Sequence, residues 1–324
     1  MTTITIGEQG ETLTLSNELV SNLREVHGPK VDPWLAGLGP TLTGILEELD
    51  ARVMPGKPPL SYHLVFFAER STGEEIVVKC TVPNDEQPPE IVAVHGLSDA
   101  GIGPRLLWSD LNRGALVMER VRPGHILPTE MPTLEDDAEI TSRIARLARR
   151  MAGDVDVDRW RHQLIPVRHY SRALEAVGAG TSLWQRHRED VERALAIRNE
   201  LLAEDDARDV FLHGDLHHYN VLNQGAEGWC VIDPKGLVGP AGYEFGALTY
   251  NPAGIQRHPD LAGILRQRVE IWSDISGLPW EAVRSWGYVA AVLSACWSGE
   301  GGGLGWEDAM TVATTLRDLE PAIS

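Results

Sequence analysis

Residues 211–236, FLHGDLHHYNVLNQGAEGWCVIDPKG, decide how this chain is read. The stretch carries Asp215, Asn220 and Asp233: a carboxylate, an amide five positions on, and a second carboxylate thirteen beyond that. Apolar runs flank them, Val210-Phe211-Leu212 before and Trp229-Cys230-Val231-Ile232 after. Short apolar runs around a turn-rich centre (Asn223-Gln224-Gly225 and Gly228) predict two buried strands joined by a loop. The polar side chains then project from strand ends and the loop, where they can meet a ligand.

Upstream, residues 1–14 alternate polar and apolar and predict a short strand or hairpin with Gly7 and Gly10 at turns. Ser16 is a candidate N-cap for a helix to Val26, which Gly28-Pro29 stops. A second helix is expected from Pro40 to Leu49, with Trp34 and Leu35 packed on it. A proline-rich turn at residues 54–59 leads into a β-rich run to Phe67. Ser71 to Glu74 is a hairpin turn signal, and Glu75 to Cys80 reads as the return strand, carrying Lys79. Two readings of Lys79 stand open on pattern alone: a strand-edge lysine that snorkels to solvent, or a cation held for a ligand. A helix is expected to open near Glu90, with Glu90 or Glu86 as a partner for Lys79. Two more strands follow, Ile102 to Trp108 and Gly114 to Glu119.

Arg120 to Gly124 is a composition break, and the domain boundary is placed there, giving 1–120 and 121–324. The second half turns helical. Thr133 to Asp136 has capping-box form ahead of Ile140, Ile144, Leu147 and Ala148. The Glu135-Asp136-Asp137 cluster is read as charge complementing the helix N-terminus. Thr181 to Leu202 predicts a long amphipathic helix. Three more helices are expected over Asp260–Ile275, Trp280–Ser298 and Trp306–Leu319. The glycine run at 299–305 is a connection. It has no strand before it and no Lys-Ser or Lys-Thr after it, so it is not a phosphate loop.

Composition narrows the function classes. Apolar residues are 43% of 324, enough for a sizeable core. A net charge of −18 argues against nucleic acid or an anionic membrane as partner and suits a cationic small molecule. Acidity alone is also common in cytoplasmic proteins. Cys80, Cys230 and Cys296 make neither a disulfide framework nor a zinc spacing, so a reducing, cytoplasmic setting is expected. No signal peptide and no membrane span are expected.

His213-Gly-Asp215 with Asn220 has the Asp-to-Asn spacing of the protein-kinase catalytic loop, H-R-D-L-x-x-x-N. Gly214 stands where that motif has arginine, and no Ala-Pro-Glu signal follows, which argues against a regulated protein kinase. With Ile232-Asp-Pro-Lys-Gly236 and Asn251-Pro252, the chain resembles the aminoglycoside phosphotransferase family. It is closest to the branch of streptomycin 6-phosphotransferases and hydroxyurea-resistance kinases. Trp34 to Leu38 and Gly114 to Arg120 also resemble that branch. The resemblance implies an α+β, bilobal protein-kinase-like fold: a small antiparallel-sheet N-lobe that binds nucleotide and a larger, mainly helical C-lobe for catalysis and the acceptor. It further implies ATP (or GTP) and Mg2+ as cofactors and a small-molecule hydroxyl acceptor.

In that frame Asp215 orients the acceptor hydroxyl, and Asn220 and Asp233 hold the metal. Lys79, aided by Glu90, holds the α- and β-phosphates. No Gly-x-Gly-x-x-Gly loop precedes Lys79, so Ser61 or nearby backbone serves the phosphates. The crossing after Glu119 is where backbone reads the base, and Lys235 adds charge near the transferring group. His213 is assigned a structural role, whereas His217, Tyr219 and Glu244 are candidate acceptor contacts. A metabolic kinase for an amino alcohol, sugar or nucleoside, and a non-catalytic nucleotide-binding protein, are the alternatives.

Overall fold

The computed structural model describes residues 2–6, 11–56, 63–176, 181–203, 208–300 and 305–321. The chain divides into two compact units, Met1–Ile91 with Pro104–Val121, and Val92–Gly103 with Arg122–Ser324. Residues 92–103 go with the second unit because Val92, Ala93, Leu97 and Ile102 belong to its apolar core.

In the first unit, β1 (Thr2–Ile6) and β2 (Glu11–Leu15) pair antiparallel. Their alternation buries Ile4, Ile6 and Leu15. The expected turn glycines, Gly7 and Gly10, lie outside the described residues. In α1 (Asn17–His27), the Ser16 hydroxyl accepts the Leu19 N–H at 3.0 Å, a cap worth about 1 kcal/mol. The next helix, α2 (Val31–Glu48), starts well before the expected Pro40 and runs through it. The proline forfeits one helical hydrogen bond, at roughly 3 kcal/mol. Burial of the stripe Val31, Leu38, Leu42 and Ile45 offsets that cost.

A five-stranded antiparallel sheet completes this unit, in the order β3 (Ala51–Val53), β4 (Leu64–Arg70), β5 (Glu75–Cys80), then β7 (Ala115–Glu119) and β6 (Leu106–Asp110) at the far edge. Lys79 is therefore on a central strand, facing Val65 and Leu116 across the ladders. The connection after β5 holds α3 (Gln87–Asp99). Pro88 and Pro89 occupy its first turn, where the missing N–H groups are no loss.

The second unit is mainly helical. Its long members are α4 (Leu134–Asp154), α8 (Ser182–Leu201), α10 (Leu261–Ser276), α11 (Trp280–Glu300) and α12 (Trp306–Arg317). Short helices α5 (Val157–Trp160), α6 (Val167–Tyr170), α7 (Ala173–Ala176) and α9 (Gly246–Thr249) fill the connections. Thr133 and Asp136 form the expected capping box of α4. Asp137 lies in the first turn of α4, as the helix N-terminal charge expected of it, but it is also fully buried and paired with Arg268.

The two strands expected from the apolar runs at 210–212 and 229–232 do not pair with each other. β9 (Asp209–Leu212) is antiparallel to β12 (Leu237–Pro240), which is parallel to β8 (Ile165–Pro166). β10 (Val221–Asn223) is antiparallel to β11 (Trp229–Val231). The polar loop 213–220 thus spans two small sheets, each anchored in apolar core. The three cysteines are buried and form no disulfide. No helix among the described residues is long and apolar enough to cross a membrane.

Candidate active site

His213, fully buried at the end of β9, ties the stretch together. Its Nδ1 accepts the Asp215 N–H at 3.2 Å, so Nε2 carries the proton and donates to the Ile232 carbonyl at 2.8 Å. Burial pulls its pKa down to about 4, against the pull of Asp215, the Ile232 carbonyl and Asp233, so the ring is neutral. The His213 carbonyl accepts the Lys235 N–H at 2.7 Å. One imidazole therefore holds the loop carrying Asp215 against the segment carrying Asp233.

Gly214 is required where protein kinases have arginine. Its φ is +81°, and a Cβ there would sit 2.6 Å from the Leu237 side chain. Downstream, Asn220 is buried, and its Nδ2 donates to the Asp215 carbonyl at 2.8 Å. That bond commits the amide nitrogen and makes Oδ1 the atom to offer a ligand. The Asn220 carbonyl accepts the Ile232 N–H at 3.0 Å, which brings Asp233, the next residue, to Asn220. Asp233 has φ +64°, a left-handed conformation uncommon outside glycine. Such backbone strain concentrates at functional sites.

The Asp215 side chain keeps 32% of its surface open, so a small molecule can reach it. His217 Nδ1 accepts the Tyr219 N–H at 3.3 Å, which leaves Nε2 to donate to Asp215 Oδ1 at 3.2 Å. Burial pushes the Asp215 carboxyl up, but the His217 hydrogen bond and the positive charge of Lys235 outweigh it. The group is held below the usual carboxylate range. His217 thus touches the carboxylate itself, while Tyr219 stacks edge-on against the His217 ring at 5.5 Å and is exposed.

Glu244 departs from its expected place as an acceptor contact. It is buried, and its two carboxylate oxygens accept the His213 N–H at 2.6 Å and the Gly214 N–H at 3.0 Å. It underpins the loop. Burial raises its pKa to about 7, only partly opposed by the two N–H groups. The sequence signal for this was an acid inside an apolar, aromatic run, Tyr243-Glu244-Phe245.

In the first unit, Lys79 is 5% exposed and donates to Glu90 Oε1. A lysine that buried does not snorkel, and Glu86 is not its partner in this pair. Glu119 meets Arg105: its carboxylate accepts the Arg105 N–H at 2.8 Å and Nε at 2.9 Å, and its own N–H donates to the Arg105 carbonyl. Ser61 lies outside the described residues.

Among the described residues, no group of three or more His, Cys, Asp or Glu side chains is placed to hold a metal ion. The Asn220 amide oxygen and the Asp233 carboxylate are a two-residue set of hard donors. That set fits Mg2+, which keeps waters and takes further oxygens from a bound phosphate rather than needing a full protein cage.

Comparison with known proteins fixes the family. The profile of the aminoglycoside/hydroxyurea antibiotic resistance kinases matches residues 61–302. The chain belongs to that family. It is 26% identical to a streptomycin 6-kinase of Streptomyces glaucescens, across 92% of this chain and 95% of that one. It is 28% identical to a hydroxyurea phosphotransferase of Kitasatospora aureofaciens, across 90% and 82% respectively. In structure it is similar to the choline kinase LicA of Streptococcus pneumoniae, with a TM-score of 0.57 over 85% of this chain and 98% of that one. At 11% identity that likeness shows the fold alone, a bilobal kinase-like fold. Family membership makes the chain a kinase, a phosphotransferase with a hydroxyl acceptor.

Proposed function

We propose that this enzyme transfers the γ-phosphoryl group of ATP to a hydroxyl of a small, aminoglycoside-like acceptor, with Asp215 as the base. The observation that carries the reading is the hydrogen-bonded loop. Asn220 donates to the Asp215 carbonyl, and His213 bridges Asp215 and Ile232, so Asp215, Asn220 and Asp233 share one rigid frame. The acceptor oxygen forms the new bond to the γ-phosphorus as the bond to the β-bridging oxygen breaks. ADP leaves, and the hydroxyl proton passes to the Asp215 carboxylate. A carboxylate kept ionised is suited to accept it.

Asn220 and Asp233 would hold Mg2+, which neutralises charge on the phosphate oxygens when bound. Lys79 would pair with the α- and β-phosphates, oriented by Glu90, and Lys235 would add positive charge near the transferring group. His217, donating to Asp215, orients the carboxylate lone pairs. A net charge of −18 favours a cationic acceptor. The test is Asp215→Asn. Phosphoryl transfer to aminoglycosides, followed by mass spectrometry, should fall at least about a thousandfold, while ATP binding by calorimetry persists. Turnover by the variant at the wild-type rate would sink the assignment.

A further inference from the structure

A cavity of about 490 Å³ opens in the second unit. It is lined by the end of α8, the end of β12 and the residues after it, the connection from α10 to α11, and the first turns of α11. In the β9–β12 ladder, Leu237 faces Leu212, next to the loop that carries Asp215, whereas Pro240 faces Asp209, where β9 begins. Pro240 lines the cavity, so the cavity lies at the other end of that ladder. None of the residues assigned to phosphoryl transfer lines it. Volumes of about 300–1,000 Å³ are usual for sites that take small molecules.

The floor is apolar. Leu201, Pro240, Gly242 and Trp286 are buried, and half-buried Leu278 stands beside them. A Cβ on Gly242 would lie 2.4 Å from the Trp286 ring, so glycine is what lets the indole cover the backbone there. The Tyr243 ring holds that indole edge-on, with centroids 5.5 Å apart. The rim is charged. Arg208 and Glu281 both line the cavity and both are exposed. Ser285 also lines it, four residues after Glu281 and therefore on the same face of α11. The side chains of Arg208, Glu281 and Ser285 meet no hydrogen-bond or ion-pair partner among the described residues, and the two charges do not pair with each other.

We propose that this cavity is a second binding site, separate from the phosphotransfer site, and that it takes a zwitterion with an apolar body: an apolar or aromatic amino acid. The carboxylate of such a molecule meets the Arg208 guanidinium, whose planar fork of donors suits it. The ammonium donates to the Glu281 carboxylate and to the Ser285 hydroxyl. The apolar side chain lies on Leu201, Leu278 and the Trp286 ring, out of water. A ligand of one sign would leave the opposite charge at the rim unmatched. A ligand with no charge would leave both, and a molecule with no apolar body would leave the floor uncovered. Only a molecule carrying both charges and an apolar part matches the whole lining.

The test is isothermal titration calorimetry of the full chain with L-phenylalanine, N-acetyl-L-phenylalanine, L-phenylalaninamide and glycine. L-Phenylalanine should bind about three- to fivefold tighter than the N-acetyl form, which lacks the ammonium, or the amide, which lacks the carboxylate, because charge pairs at an exposed rim are worth little. Glycine should bind at least about tenfold more weakly, for want of an apolar side chain. Arg208→Ala should erase the advantage over the amide, and Glu281→Gln the advantage over the N-acetyl form. Ala282→Phe, which fills the cavity from the first turn of α11, should abolish binding. Thermal unfolding checks that each variant folds, and the two rim variants, at exposed positions, keep the test decisive if Ala282→Phe does not. No binding of L-phenylalanine, equal binding of all four molecules, or binding unchanged in a folded Ala282→Phe or in both rim variants would overturn the site. The titration needs neither nucleotide nor acceptor, so its outcome is independent of the phosphotransfer reading.

Discussion

Two buried carboxylates in the second unit are handled in opposite ways. Asp137, on α4, has no exposed surface and meets an equally buried Arg268 on α10. Arg268 Nη2 donates to Asp137 Oδ1 at 2.6 Å, and Nε lies 3.1 and 3.0 Å from Oδ1 and Oδ2. Arg268 Nη1 also donates to the carbonyls of Leu248 and Asn251. Glu244 sits beneath the loop that carries Asp215, and its partners are two backbone N–H groups. A guanidinium cancels a full charge, whereas backbone dipoles cancel only part of one. So Glu244 titrates near neutrality, and its oxygens are fixed by the loop they hold. The arginine pair clamps two helices to the chain just after α9. The lone glutamate fixes the backbone conformation that aims Asp215.

The largest effect should come from breaking the clamp. Arg268→Met leaves Asp137 buried and uncompensated, and urea unfolding should show a loss of about 3–5 kcal/mol. Adding Asp137→Leu should recover much of that loss. If the double variant is no better than the single one, the cost lies in the Leu248 and Asn251 carbonyls instead.

Glu244→Gln comes next. The amide oxygen can accept one N–H, but its NH2 group faces the other, a donor against a donor. Unfolding should reveal a cost of about 1–3 kcal/mol. The kcat should fall while the KM for ATP changes little, because the aim of Asp215 is disturbed rather than a phosphate contact. An unaltered kcat would remove Glu244 from the positioning role.

The pH dependence sharpens the same contrast. Glu244 has its pKa raised from 4.5 to about 7, so its contribution to stability is complete below pH 4.5 and lost as pH rises through 7. His213 and His218 are lowered from 6.5 to about 4 and about 3, chiefly by burial. Their contributions are complete above pH 6.5 and lost as pH falls toward those values. Between pH 4.5 and 6.5 the glutamate therefore opposes the histidines. Removing it in Glu244→Gln should make acid destabilisation steeper, by on the order of 1 kcal/mol per pH unit. Stability measured in urea at several pH values checks this. A shallower acid limb in the variant would mean Glu244 enters the native state already ionised.

The smallest effect belongs to a pair on the surface. Arg24 and Asp32 are 2.8 Å apart but more than half exposed. Asp32→Asn should shift unfolding by less than about 1 kcal/mol. A larger change would mean that pairing, and not burial, sets the cost of losing a carboxylate here.

How much of this was legible in the chain depended on the range of the interaction. The Ser16 cap, the Thr133–Asp136 capping box and the β4–β5 hairpin rest on residues a few positions apart, and their patterns announced them. The pairing of Lys79 with Glu90 spans eleven positions and was legible as one of two options. The strand pairing around the loop was not. β9 pairs with β12, which in turn pairs with β8, and a two-strand reading cannot tell which apolar run lies beside which. Nor could the acidic run at 135–137 reveal that its last member turns inward. That depends on Arg268, 131 positions away.

The sequence by itself determined which residues make up the candidate site. Asp215, Asn220 and Asp233 follow from spacing within one short stretch, where local backbone geometry does the placing. Only the tertiary structure decided that Asp137 pairs with Arg268 and that Glu244 holds the loop. Those outcomes depend on burial and on the packing of distant helices, which set the electrostatics of each group and leave no mark on its immediate neighbours.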